Sequence, residues 1–195
     1  MDPRERKRQI LDCAAEVFAA HGVASTTVRQ IADAVGVYSG TLYHYFPSKE
    51  TIVYEVIREY LLDLRVRFRE ALAGRDDPIT RLEILVRTAV LAAESYPHAT
   101  RIWQNELDYM QEQMLEADLG PVAAELEGFW TDTITAGVAA GQFRADIDPH
   151  VFHMLLRNAV WMASQWYRPS DDYPADTLAR DVVTVFVDGF RAPPA

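Results

Sequence analysis

The stretch Thr26–Lys49, TTVRQIADAVGVYSGTLYHYFPSK, spells two short helices joined by a glycine turn and closed by an aromatic cluster. Thr26 or Thr27 can cap the first helix, and Val28, Ile31, Ala32 and Val35 recur at the spacing of one helical face. Gly36 supplies the turn, and a second helix over about 39–46 packs through Leu42 and Phe46. Tyr38, Ser39, Thr41, Tyr43, His44 and Tyr45 then face outward, as a helix-turn-helix presents polar and aromatic groups to the major groove. Tyr43, His44 and Lys49, with Thr26 or Thr27 at a helix amino terminus, suit phosphate contacts, whereas Arg29, Tyr38, Ser39 and Thr41 suit base edges. Gly40 permits close backbone approach. Tyr45 has a competing role, packing between the two short helices.

Outward from this stretch, charge is unevenly distributed. The formal charge of −10 over 195 residues argues against a general polyanion binder. Yet residues 1–50 are neutral, with six Lys/Arg and six Asp/Glu, and residues 51–195 hold the whole excess, thirteen against twenty-three. Only the amino-terminal end should approach phosphate, where Arg4, Arg6, Lys7 and Arg8 form either a solvated helix start or a DNA-contacting arm. The single cysteine, Cys13, excludes an internal disulfide and falls with Ile10, Val17 and Phe18 on an apolar helix face, as a buried structural thiol. A charged start and no bilayer-length apolar run lead us to expect a cytoplasmic protein with no membrane contact.

Hydrophobic residues make up 49% of the chain, and no strand-like alternation bounded by turns is visible, so we expect an all-α fold of about nine helices. The first should end at Gly22 in a left-handed stop, and a long helix should start at Ser48 and run to about Leu72. Further helices are expected over 78–95, 100–116 in one or two pieces, 119–140, 149–167 and 176–190. The expected division is a DNA-binding domain over 1–50 and a helical ligand-binding and dimerisation domain over 51–195.

Thr27, Ile31, Ala32, Gly36, Val37, Gly40, Thr41, Leu42, Tyr43, Tyr45, Phe46, Ser48, Lys49 and Glu50 together resemble the DNA-binding domain of the TetR family of bacterial repressors. Tyr38 departs from the small capping residue usual there, and Val35 from alanine, so the operator cannot be carried over. The resemblance implies a homodimer on a palindromic operator, consistent with the few base pairs one short helix can read. It also implies a four-helix dimer interface from the last two helices, through Phe152, Leu155, Ala159, Met162 and Trp166 on one and Val182, Phe186 and Phe190 on the other. A monomer's core could also explain these residues, but the resemblance makes the dimer interface the stronger reading.

The larger domain is rich in rings that core packing alone could explain, but Trp103, Tyr109, Phe129, Trp130 and Trp161, with Gln104 and Gln165, could also line a ligand site. Arg157 interrupts an apolar helix, four residues before Trp161 and on the same face. A buried arginine needs a partner, either Glu106, Asp108 or Glu125, or an anionic or acyl ligand. The segment LLRNAVWMASQWYRP, Leu155–Pro169, resembles regulators of steroid-ring catabolism that respond to a CoA thioester, a likeness carried by Trp161, Trp166, Tyr167, Arg168 and Pro169. It implies that Arg157 and Trp161 meet an acyl-CoA effector, whose binding moves the long helix and releases DNA.

Three other functions are weighed. No Gly-rich phosphate loop, nucleophile elbow or zinc-protease helix supports an enzyme, and the pair His150 and His153 lacks a third metal ligand and fits a solvated or capping role. No cofactor or metal is expected. A repressor of drug efflux sensing lipophilic cations would suit the acidic and aromatic body, with Arg157 at the pocket arguing against it and an acid there for it, whereas a ligand-independent regulator would have much the same sequence.

Overall fold

The computed structural model describes residues 2–105, 119–168 and 170–190, apart from the side chains of Ser164, Gln165 and Phe190. Among these residues the chain is built from nine helices: α1 Pro3–His21, α2 Val28–Val35, α3 Ser39–Tyr45, α4 Lys49–Leu72, α5 Pro78–Ser95, α6 Pro97–Asn105, α7 Gly120–Ala139, α8 Pro149–Trp166 and α9 Ala175–Phe190. No helix among the described residues is long and apolar enough to cross a membrane. The part of the expected 100–116 helices beyond Asn105 lies outside the described residues.

Two compact units result, Met1–Leu62 with Tyr96–Gly120, and Asp63–Ser95 with Pro121–Ala195, so α4 contributes to both. These units are not the 1–50 and 51–195 division by function, since α6 groups with the amino-terminal helices.

In the first unit, Asp2 caps α1 by accepting from the Arg4 amide at 3.1 Å, and α1 packs against α2 and α6 through Ile10, Leu11, Ala14 and Phe18. Burying each of the larger side chains contributes about 1.5–3 kcal/mol. Gly22 ends the helix with φ 83° and ψ 151°, which corrects the expected left-handed stop: φ is positive, but the extended ψ carries the chain straight into Val23–Thr26. Thr27, not Thr26, caps α2 in a complete capping box, its hydroxyl accepting from the Gln30 amide at 3.3 Å while Gln30 accepts from the Thr27 amide at 2.8 Å. Gly36 adopts the left-handed conformation, φ 75° and ψ 40°, and turns the chain into α3. Tyr38 gives α3 no side-chain cap, so Leu42 and Phe46, both buried, hold that short helix in place. Cys13 is only half-buried, at the rim of the α1 face rather than within it, and its thiol is held above the usual range by desolvation and by Glu16 and Asp12.

In the second unit, α5 packs against α9 and α8 through Leu82, Leu85, Val86 and Val90, with Leu178, Val183 and Val187 buried on α9. Asp77 caps α5 and also accepts from Gln142 at 2.8 Å, tying its start to the turn after α7. Gly137 on α7 lies under Phe143: a Cβ there would overlap the ring, so packing demands the glycine. Asp148 caps α8, accepting from the amides of His150 and Val151 at 2.8 and 3.3 Å, with Pro149 preset for the first turn.

Candidate nucleic-acid interface and effector site

The outward side of the helix-turn-helix carries Arg29, Gly40, Tyr43 and His44 exposed, Ser39 and Thr41 half-buried, and Tyr38 at 88% exposure. An exposed tyrosine at a helix start, left uncovered by the described residues, offers a ring and a hydroxyl to a partner. A Cβ on Gly40 would meet nothing within 4 Å, so nothing in the fold requires glycine there. Arg29 reaches Asp33 only at 3.9 Å across an exposed i,i+4 pair. Tyr45 is half-buried.

Two residues expected at phosphate are engaged elsewhere. Thr26 is 2% exposed and its hydroxyl donates to the Gly22 carbonyl at 2.7 Å. Lys49 donates to the carbonyls of Val23, Thr26 and Ala24 at 2.8, 2.9 and 3.4 Å, so all three ammonium hydrogens are accommodated by the loop between α1 and α2. In the basic run, Lys7 lies 3.6 Å from Glu55 and 5.3 Å over the Phe46 ring, whereas Arg4 and Arg8 stay exposed.

In the second unit a different arrangement surrounds Trp130 of α7. The Phe68 ring of α4 meets Trp130 and Phe129 edge-on at 6.0 and 5.7 Å, and the His153 ring of α8 stacks on Trp130 at 6.0 Å. One turn along α8, the Arg157 guanidinium lies 4.8 Å over the Trp161 ring. Among the described residues, the buried Nε of Arg157, Nε of Arg65 and both ring nitrogens of His153 have no hydrogen-bond partner. Folded proteins seldom leave such atoms unmatched, at about 1–3 kcal/mol each. Glu125 does not pair with Arg157 as the sequence allowed, because it accepts from Arg69 at 2.6 Å and lies 3.9 Å from Arg65. Glu106, Asp108 and the proposed ligand residue Tyr109 lie outside the described residues, as does the side chain of Gln165. Trp103 is buried on α6 of the first unit, beside Gln104, and is not brought together with Arg157 within one unit.

At helical spacing α8 divides into distinct faces. Phe152, Leu156, Val160 and Ala163 are buried, and His153, Arg157 and Trp161 form a second stripe. Val151, Leu155, Met162 and Trp166 form a third, with exposures of 50, 57, 44 and 64%, and Val185 of α9 is exposed at 71%. Phe152 therefore does not belong with Leu155 on an outer face: it is 5% exposed and packs edge-on against Phe186 at 6.2 Å within its own chain. Ala159, Val182 and Phe186 are half-buried, and the side chain of Phe190 is outside the description.

Residues 10–56 match the family described as bacterial regulatory proteins, tetR family, and residues 75–190 match the tetracyclin repressor-like C-terminal domain. The chain belongs to the TetR family. It is a transcriptional regulator, not an enzyme. Over 188 residues it is 38% identical to the HTH-type transcriptional repressor KstR2 of Rhodococcus jostii, covering 96% of this chain and 92% of that protein. The structure of the ketosteroid transcriptional regulator KstR2 of Mycobacterium tuberculosis matches with a TM-score of 0.87 at 30% identity, covering 96% of each chain. AibR, solved in complex with isovaleryl coenzyme A and operator DNA, matches at a TM-score of 0.79 and 19% identity over 92% of this chain and 97% of that one, a likeness of fold.

For this TetR-family regulator, the sequence did not single out His153 or Arg65 as buried polar groups. His153 was expected to be solvated or capping, yet it is 1% exposed. Its position four residues before Arg157 was the available signal. Burial first, then the neighbouring Arg157 charge, hold its pKa below the usual histidine range, with Glu127 opposing, so the ring is neutral at neutral pH.

Proposed function

We propose that this regulator is a homodimeric, ligand-released repressor acting in the cytoplasm on genes of steroid or lipid catabolism, with a CoA thioester as effector. The observation that carries the effector class is the buried, unpartnered Nε of Arg157 beside the Trp161 ring: a cation with an unmet donor next to an aromatic face suits an anionic or acyl-bearing apolar ligand. The names of the KstR2 relatives point the same way. A lipophilic cation would meet the Arg157 guanidinium at the Trp161 ring, which weighs against an efflux sensor.

Operator contact falls to Arg29, Tyr38, Ser39, Gly40, Thr41, Tyr43 and His44, with Arg4 and Arg8 as phosphate arms, in a DNA-binding domain over 1–50 and an effector and dimerisation domain over 51–195. Thr27 and Lys49 act by holding the α1–α2 loop. The outer stripe of α8 with Val185 forms the dimer face, and Gly189, whose added Cβ would meet nothing within 4 Å, lets a partner helix come close. Phe129, Trp130, Arg157 and Trp161 line the effector site. Because α4 runs through both units, a shift at the effector site reaches the operator contacts, and effector and DNA must weaken each other's binding by the same factor.

Thermal unfolding with acyl-CoA thioesters, including steroid-derived ones, their free acids, CoA alone and lipophilic cations tests this directly. A thioester at one hundred times its dissociation constant should stabilise the protein by about 2.7 kcal/mol and release a fluorescent operator. Stabilisation by cations alone would overturn the effector assignment.

A further inference from the structure

At the starts of α1, α2 and α8, Asp2, Thr27 and Asp148 accept backbone amides, whereas Tyr38, the residue before α3, makes no side-chain cap hydrogen bond. Its backbone is extended, φ −76° and ψ 146°, so the side chain precedes the first turn of α3 rather than lying on its flank, and it is 88% exposed. A serine there would supply the cap and leave no ring in water. Tyrosine gives up the first and adds the second, and neither α3 nor the described core gains from the exchange. Gly40, in the first turn of α3, is a second such exchange. A Cβ there would meet nothing within 4 Å and its φ is not positive, so the fold asks for no glycine, yet glycine weakens a helix. What its missing side chain provides is open space beside Tyr38.

We propose that Tyr38 sets the operator sequence by laying its ring against the 5-methyl group of one thymine in each half-site, with Gly40 leaving room for that base edge. This rests on the operator contacts proposed above and names the base chemistry behind them. The thymine methyl is the apolar group that base edges present in the major groove, and a ring left uncovered in the free protein gains by an apolar contact. A phosphate would engage the hydroxyl alone and leave the ring faces in water. Tyrosine also lacks the paired donor and acceptor with which Asn or Gln reads adenine, and the guanidinium fork with which Arg reads guanine. The contact adds no charge, so it contributes sequence preference without adding to the salt dependence of binding.

The test uses the full-length protein and a pool of random-sequence duplex DNA, from which bound molecules are selected and sequenced. Wild type should enrich a palindromic motif with thymine fixed at one position of each half-site that Tyr38→Ser leaves open, the rest of the motif being shared. Tyr38→Ser should melt no lower than wild type, since serine offers α3 a cap, so a lost preference is not lost folding. On the selected duplex, uracil in place of both thymines should weaken wild-type binding about 15-fold, two methyl groups at about 4-fold each, and leave Tyr38→Ser unaffected. Tyr38→Phe should keep the full discrimination, because the ring and not the hydroxyl makes the contact. A motif identical in wild type and Tyr38→Ser, or equal losses with uracil in the two proteins, would overturn the role of Tyr38 alone. Loss of the discrimination in Tyr38→Phe would overturn it too, by placing the hydroxyl at the DNA. No enrichment by wild type would overturn the operator reading itself, and this proposal with it.

Discussion

The helix-turn-helix and the surroundings of Trp130 treat their polar groups in opposite ways. Around the helix-turn-helix, the capping box of Thr27 and Gln30, the buried Thr26 hydroxyl and the three carbonyls around Lys49 leave the inner polar groups matched, and what remains unmatched points outward. Around Trp130 the reverse holds among the described residues: the ring nitrogens of His153 and, one turn along α8, the Nε of Arg157 are buried and unmet. A surface that binds DNA can leave its polar groups to water until DNA arrives. A site for an apolar ligand cannot, so it carries its readiness as buried, unsatisfied atoms and a cost in stability.

The contrast can be broken at four points, in falling order of effect. Arg157→Met keeps the aliphatic stem over Trp161 but removes the charge. Titration of a bound operator complex with the stabilising thioester should show effector affinity lowered by roughly 10- to 100-fold, with operator affinity unchanged, since a charge-assisted hydrogen bond contributes about 1.5–3 kcal/mol. Loss of operator binding instead would place Arg157 in the scaffold. In the other unit, Lys49→Met should lower unfolding stability by about 1–3 kcal/mol by stranding carbonyls. Its diagnostic measurement is salt dependence: the slope of log operator affinity against log salt should stay as in wild type, whereas a drop of about one per site would put Lys49 on phosphate.

Thr27→Ala should cost about 1 kcal/mol in urea unfolding through loss of the α2 cap and leave effector stabilisation untouched. The smallest effect concerns pH. The folded pKa of His153 lies below its unfolded value, so the unfolded chain takes up a proton first as pH falls through about 6.5. The contribution is present above that pH and declines below it. Wild type should lose more stability between pH 7.5 and 5.5 than His153→Phe, by less than about 1.4 kcal/mol for each unit of depression. Equal losses in the two proteins would mean that His153 titrates normally.

Much of the first unit was legible because its devices are local. Thr27 and Gln30 lie three residues apart, Gly36 ends a helix eight residues long, and Leu42 and Phe46 are one turn apart. Such contacts depend on backbone geometry within a few residues. Gly22 shows the limit, since a glycine after a helix announces a positive φ but not the ψ that directs the chain onward. Lys49 was misleading for another reason: an exposed lysine and one folded back onto carbonyls 23–26 residues away have the same local pattern.

In the second unit, periodicity announced α8 but not how its residues divide among neighbours. Phe152 and Leu155 both looked suited to an interface, and only packing against Phe186 turned the first inward. Glu125 looked available to Arg157 until α4 supplied Arg69 and Arg65 to occupy it.

What the amino-acid order determined by itself was the all-α fold, the helix-turn-helix with its caps, and the family to which they belong, since these follow from spacing, capping chemistry and turn residues within short segments. The tertiary structure alone decided which stripe of α8 faces outward, where the Lys49 ammonium goes, and that the ring nitrogens of His153 and the Nε of Arg157 are buried without hydrogen-bond partners among the described residues. Those outcomes depend on desolvation and on groups far apart in the chain, and burial is a property of the packed assembly of helices rather than of any one segment.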